Sequence, residues 1–361
     1  MYTENFNTVS FKDFIQNKLP NSKILNGTFD FYSSFEDEKN TVKNGVGLRI
    51  TENPTYIRLT GKDTIDFLHR ISTNRIKEIQ ENQKVNTLFL NEKGKFIARS
   101  TFVNYNNEYY LISDPDADHR LFNWINKYII MEEIKTENIQ DKFSLFEFIG
   151  PQTFSFLTLL IGDELSKVNE IDFKRFDVDG FTFYLFYTKE NNEKDIYKIL
   201  IEKSKTIEFY QYLDSIKSVF DLNLIGEIAY DYFRIKNLIP KFPNEINSES
   251  NPHEVNLIHE IDFKKGCYIG QEVIARLDTY DKVQRKLVKA ELKNPLNKIY
   301  DLNILDDENV SIGKITTSHL ELFPEFLCLV KKSLLNGNQK FYVNVEKQKN
   351  ELLISQEQNS K

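Results

Sequence analysis

Cysteine is almost missing from this chain: Cys267 and Cys328 are the two in 361 residues. So little cysteine excludes a disulfide framework and points to a reducing compartment, so a cytoplasmic location is expected. The five histidines show no zinc-type pairing with the cysteines, and no resident metal is expected. Long apolar runs are also lacking. No window approaches the roughly 18 residues of a membrane-spanning helix, so no membrane partner is expected. The start, Met1-Tyr2-Thr3-Glu4-Asn5-Phe6-Asn7, has neither a secretory nor a transit layout. There is no excess of basic charge. A formal net charge of −7 argues against direct nucleic-acid binding through bulk electrostatics. Gly-x-Ser-x-Gly, P-loop and dinucleotide fingerprints are absent, which leaves the common hydrolase, nucleotidase and dehydrogenase readings without support. Asp114-x-Asp116-x-Asp118 opens like a calcium loop, but His119 and Ile125 stand where that loop needs glycine and glutamate.

Apolar patterning is plentiful, and the length suits two or three domains. Tyr56–Thr60 alternates like a strand, and Asp63–Arg70 reads as a short helix. Residues 87–112 read as an antiparallel meander turning at Gly94 and at Asn106-Asn107. Pro115 can open a helix carrying Leu121, Trp124, Ile125, Tyr128 and Ile129, with Trp124 in the core. A ferredoxin-like order follows: strand 143–149, helix from Pro151, strands 172–178 and 181–187, then a helix from about Asp195. A helix over 226–239 ends at Pro240, and the polar loop to Pro252 is expected to be functional or mobile. Strand-like segments at 287–292, 312–316, 326–330 and 341–345 predict a small β-barrel. The predicted boundaries are a core at 1–282, a barrel at 283–346 and a frayed tail at 347–361.

The most informative stretch is Lys264-Lys265-Gly266-Cys267-Tyr268-Ile269-Gly270-Gln271-Glu272-Val273-Ile274-Ala275-Arg276. Gly266 and Gly270 permit sharp turns or a close backbone approach. Gln271–Leu277 reads as helix, with Glu272 and Arg276 spaced to pair. A cysteine beside a helix start and the Lys265 ammonium has the surroundings that favour thiolate, which makes Cys267 a candidate nucleophile assisted by Lys265. Tyr230 and Arg234 on the 226–239 helix, together with Tyr268, Gln271, Glu272 and Arg276, are candidate ligand-binding residues, with Tyr230 offering a stacking surface and either Arg234 or Arg276 a partner for a carboxylate.

Lys-Gly-Cys-Tyr-x-Gly-Gln-Glu followed by arginine resembles the signature of the YgfZ family, folate-binding relatives of the glycine-cleavage T-protein that support iron–sulfur enzymes. Arg234-Ile235-Lys236-Asn237-Leu238-Ile239-Pro240, Leu59-Thr60-Gly61-Lys62-Asp63 with Phe67-Leu68, Asn91–Lys95 and Ile312–Ser318 resemble further family elements, over about residues 45–320. Lys236 and Leu238 depart from the family's usual glutamate and glycine. The resemblance implies an α+β fold. Intertwined T-protein-like folate-binding subdomains, one of them ferredoxin-like, would surround a central cavity, with a small C-terminal β-barrel beside them. It also implies tetrahydrofolate or a derivative as cofactor, and iron–sulfur client enzymes or assembly factors, including those for tRNA modification, as partners. Aminomethyltransferases carry paired aspartates just after the Gly94 turn, where this chain has Ala98 and Arg99. A methyl group and a permanently charged guanidinium cannot replace a carboxylate in proton transfer, so glycine-cleavage chemistry is not expected. The leading expectation is therefore a folate-binding accessory protein. A tetrahydrofolate-dependent aminomethyl or one-carbon transferase is the alternative.

Overall fold

The computed structural model describes residues 10–25, 27–191, 194–293, 302–335, 340–345 and 348–355. Two sheets pack face to face, and helices cover their outer sides. The first sheet has the order β10-β11-β12-β9-β3-β13: Lys174–Val178, Phe181–Glu190, Lys194–Glu202, Phe143–Ile149, Val46–Glu52 and Leu222–Leu224. Its outer face packs on α1 (Phe11–Lys18), α5 (Thr153–Ile161) and α6 (Thr206–Ile216), through Ile15, Phe156, Leu157, Phe209 and Leu213. The second sheet has the order β5-β6-β7-β4-β8: Gln83–Leu90, Phe96–Tyr105, Glu108–Ser113, Thr55–Thr60 and Lys135–Asn138. Its outer face packs on α3 (Thr64–Ile71) and α4 (Arg120–Tyr128), through Phe67, Leu68, Leu121 and Ile125. Between the sheets, Tyr56, Val103 and Ile112 meet Leu145, Phe186 and Leu200. Alternating strand side chains place one set inward and one outward, so each sheet supplies two apolar faces.

A short hairpin, β1 (Lys23–Leu25) and β2 (Thr28–Phe31), leads to α2 (Phe35–Asn44), which packs on α7 (Glu227–Asn237). Then come α8 (Gln271–Thr279) and a closed six-stranded barrel. Its strands are β14 (Arg285–Leu292), β15 (Asn303–Leu305), β16 (Ser311–Ser318), β17 (Glu325–Lys331), β18 (Phe341–Val345) and β19 (Gln348–Ser355). The fold is thus α+β with a C-terminal barrel, as expected.

Four local expectations are corrected. Lys194–Glu202 is a strand, not a helix, and the helix begins at Thr206. This strand is buried on both faces, with Tyr197, Ile199 and Ile201 on one and Leu200 on the other, so its apolar run carries no period of two. Residues 348–355 are not a frayed tail: β19 closes the barrel against β14 and β18, with Leu352 buried. Residues 347 and 356–361 lie outside the described set. Pro115 does not open α4, which starts at Arg120 after a turn, and Trp124 is half-buried, edge-on to Phe89. The loop after Pro240 is tied into the core, with Glu245, Ser250, Asn251 and Glu254 buried.

Candidate functional site

At one end of the inter-sheet interface, side chains from six strands enclose a cavity of about 60 Å³. Its lining includes Asn86 of β5, Arg99 and Thr101 of β6, Asp114 just beyond β7, and Thr188, Glu190 and Lys198 of β11 and β12. A second compartment of about 20 Å³ shares Arg99, Ser113 and Asp114 with the first and adds Ala98, Asp116, Arg120 and Phe242. Arg99 therefore stands between the two. Its Nε donates to both carboxylate oxygens of Glu260, at 2.9 and 3.1 Å, and a terminal nitrogen reaches Glu190 at 3.0 Å. Glu260 also accepts from Asn86 at 3.2 Å. Burial opposes the Arg99 charge, but the two glutamates outweigh it and hold its pKa above the ordinary value.

The remaining charges differ in how fully they are bonded. Lys198 pairs with Glu147 at 3.3 Å, and Glu147 also holds Arg49, whose Nε donates to Glu227 at 2.8 Å. Asp114 accepts a bond from Thr55 through its backbone oxygen at 2.8 Å, while its carboxylate has no hydrogen bond among the described residues. Arg120 has no hydrogen bond or ion pair there either, and its Nε is buried without a partner. The Arg120 guanidinium lies 4.4 Å from the centre of the Phe242 ring.

Arg234 was one of the two arginines expected to hold a ligand carboxylate, and this is corrected. It is fully buried, and each of its five N–H donors is taken. Asp231 accepts at 3.0 and 2.7 Å, the Ile239 carbonyl at 2.8 Å, Glu245 at 3.0 Å and the Thr317 hydroxyl at 3.2 Å. Thr317 in turn donates to Glu245 at 2.6 Å. The arginine motif and the late Thr317-Ser318 motif thus meet in one closed network that joins α7 to the barrel. Tyr230 was expected to stack on a ligand. It is buried and lines neither compartment, with the Arg49 guanidinium 4.5 Å from its ring centre and the Lys241 ammonium at 5.5 Å.

The cysteine loop also differs from expectation. Cys267 is exposed, but α8 begins four residues later at Gln271, beyond the first-turn range over which a helix terminus acts. No described donor lies within hydrogen-bonding reach of its sulfur. Lys265 is buried, and its ammonium donates to the carbonyls of His69, Ser72 and Asn74 at 2.6, 2.6 and 2.9 Å. It pins the loop to the end of α3 rather than activating the thiol. Tyr268 is core, its buried hydroxyl unpartnered and pushed up to about 12 by desolvation. Gln271 is half-buried, and Glu272 and Arg276 are exposed on α8 without pairing. None of Tyr268, Gln271, Glu272 or Arg276 lines the cavity. Gly270 has φ +84°, and a Cβ there would meet the Asn91 carbonyl at 2.5 Å, so its close approach is to the Gly94 turn and not to a ligand. Gly266 faces open space. Asp114, Arg120, Glu190 and Glu260 were missed. Asp114 and Arg120 had one visible signal, an acidic cluster ending in arginine just after a strand.

The chain belongs to the GCVT N-terminal domain family, whose model matches residues 8–265. The match ends two residues before Cys267 and does not reach the barrel. Among named relatives, an aminomethyltransferase of Caldanaerobacter subterraneus is 24% identical over 290 residues, 80% of this chain and 77% of its own. A chloroplastic protein of Arabidopsis thaliana named as a transferase is 23% identical over 293 residues, covering 81% and 66%. The glycine cleavage system aminomethyltransferase T of Bartonella henselae superposes with a TM-score of 0.80 over 96% of each chain at 14% identity, which establishes the common fold.

Proposed function

We propose that this chain is a cytoplasmic folate-binding accessory protein of the YgfZ type, which supports iron–sulfur cluster assembly or repair in client enzymes, tRNA-modifying ones among them. One observation carries the choice against amine transfer. The positions after the Gly94 turn line the cavity as Ala98 and Arg99, and Arg99 is held there by Glu190 and Glu260. That guanidinium cannot accept a proton.

The donor set fits a reduced folate: Glu190 can accept from the amino-substituted edge of a pteridine, and Phe186 offers apolar surface. Space is less generous. Compartments of about 60 and 20 Å³ are far below the roughly 300–1,000 Å³ of pockets that enclose drug-sized ligands, so side chains must yield on binding. A bound reduced folate supplies one-carbon chemistry; the residues here bind and orient it.

Cys267 acts toward the client. Cys328 is sealed inside the barrel, and burial pushes its thiol up, so the two cysteines do not form one site. A single exposed cysteine supplies one of the four ligands a cluster needs, and the others come from the client. The test is to delete the gene, assay several cluster-dependent enzymes, and return either the wild-type or a Cys267→Ala copy. Their activity should fall on deletion and recover with the wild type but not the variant. Full rescue by Cys267→Ala contradicts the cysteine's role, and unchanged client activity after deletion contradicts the whole reading.

The alternative of a tetrahydrofolate-dependent transferase keeps one observation in its favour, the unbonded Asp114 carboxylate beside Arg99 in the cavity. Turnover of a one-carbon donor that disappears in Asp114→Asn is its signature.

A further inference from the structure

Among the cations that line the cavity, one lacks an internal partner. Arg99 is bonded to Glu260 and Glu190, and Lys198 to Glu147. Arg120 has neither hydrogen bond nor ion pair among the described residues, although its Nε is buried. A buried donor left without a partner is costly. Phe242 lies 4.4 Å beneath the guanidinium, so stacking restrains the group while leaving its edge without a partner. Arg120 is also the first residue of α4, a nine-residue helix with no acid in its first turn, where negative charge is favoured. The compartment beside it holds about 20 Å³, room for little more than a carboxylate.

We infer that Arg120, stacked on Phe242, is the group that binds a carboxylate of the cavity's ligand, the role expected of Arg234 or Arg276. This rests on the folate reading and specifies that the glutamate end of the folate enters the Ala98–Phe242 compartment. Two carboxylates, Asp114 and Asp116, line the same compartment, and neither is within 4.0 Å ion-pair distance of Arg120. Asp116 accepts the Leu121 amide at 3.2 Å, so its charge is partly committed to capping α4. A merely structural arginine would pair with one of these acids and take no notice of a ligand's charge.

The test is calorimetric titration of the full chain with tetrahydrofolate and with its diamide, in which both glutamate carboxylates are carboxamides. The wild type should prefer the acid by about 10–100-fold, the range of a charge-assisted bond. Arg120→Gln should lose that factor for the acid and less than about threefold for the diamide, whereas Arg120→Lys should keep part of the preference. Equal affinity of the wild type for both compounds overturns the inference without any substitution being involved. So does an equal loss for both, or no loss, in Arg120→Gln; in each of these cases the folate reading stands. No binding of either compound to the wild type refutes the folate reading and the inference together.

Discussion

Arg234 and Arg120 stand on opposite sides of one question, which arginine faces a ligand. Arg234 belongs to a recognisable motif, is entirely enclosed and has every donor bonded to Asp231, Glu245, Ile239 or Thr317. Arg120 belongs to no motif, lines the cavity and has no hydrogen-bond or ion-pair partner among the described residues. The difference teaches that a motif arginine can mark a structural joint, while binding capacity lies where hydrogen-bonding valence is left over. A closed network rigidifies and joins elements, here α7, the loop after Pro240 and the barrel.

The comparison breaks most visibly through stability. Arg234→Leu leaves Asp231 and Glu245 buried without their cation and should cost about 3–5 kcal/mol in urea unfolding. Arg120→Leu should stay within about 1 kcal/mol of wild type. Similar losses in both would erase the distinction. The Arg234 network also has a pH signature. Arg234 and His319 hold the Asp231 carboxyl far below its ordinary 3.8 despite burial. A depressed folded value means stability fully present above about pH 4 and lost as pH falls further. Asp231→Asn should flatten that acid-side loss.

A third cation sharpens the contrast. Lys84 of β5 is 2% exposed, lies on the inner face with Asn86, and has no ion pair or side-chain hydrogen bond among the described residues. Desolvation pulls its pKa down to about 8, partly offset by Glu170. The unfolded chain holds this proton to about 10.5, so wild-type stability is lowest below pH 8 and rises between pH 8 and 10.5. Lys84→Met should therefore gain about 1–3 kcal/mol at pH 7, with the gain shrinking across that window. A loss at pH 7 would mean that the ammonium has a stabilising partner.

The smallest effect concerns the thiols. Cys267 should be alkylated in the native protein and Cys328 only after unfolding, because one is exposed and the other enclosed. Lys265→Met should loosen the loop and not slow Cys267, since its ammonium serves three carbonyls. A several-fold slower reaction in that variant would restore the activating role.

Much of the architecture was legible. Short alternating strands and the Gly94 turn marked the sheets, because half-buried strands print their exposure on the sequence. Lys194–Glu202 was not legible, since a strand buried on both sides loses that print. The polar residues of β19 hid a strand whose Leu352 and Ile354 face the barrel core. The site was less legible still. Glu190 and Glu260 meet Arg99 only through folding, across a separation of 161 residues in the case of Glu260. The readable residues Arg234, Lys265 and Gly270 all serve internal contacts.

The most direct measurement is a crystal structure of the protein saturated with tetrahydrofolate. The ligand should lie between β6–β7 and β11–β12, displacing side chains around Arg99, with its carboxylate in contact with Arg120. Two larger grooves lie elsewhere, one of about 510 Å³ beside Tyr32 and Tyr210 and one of about 490 Å³ beside Phe154 and Tyr232. Folate in either groove, with the central compartments unchanged, would contradict the account.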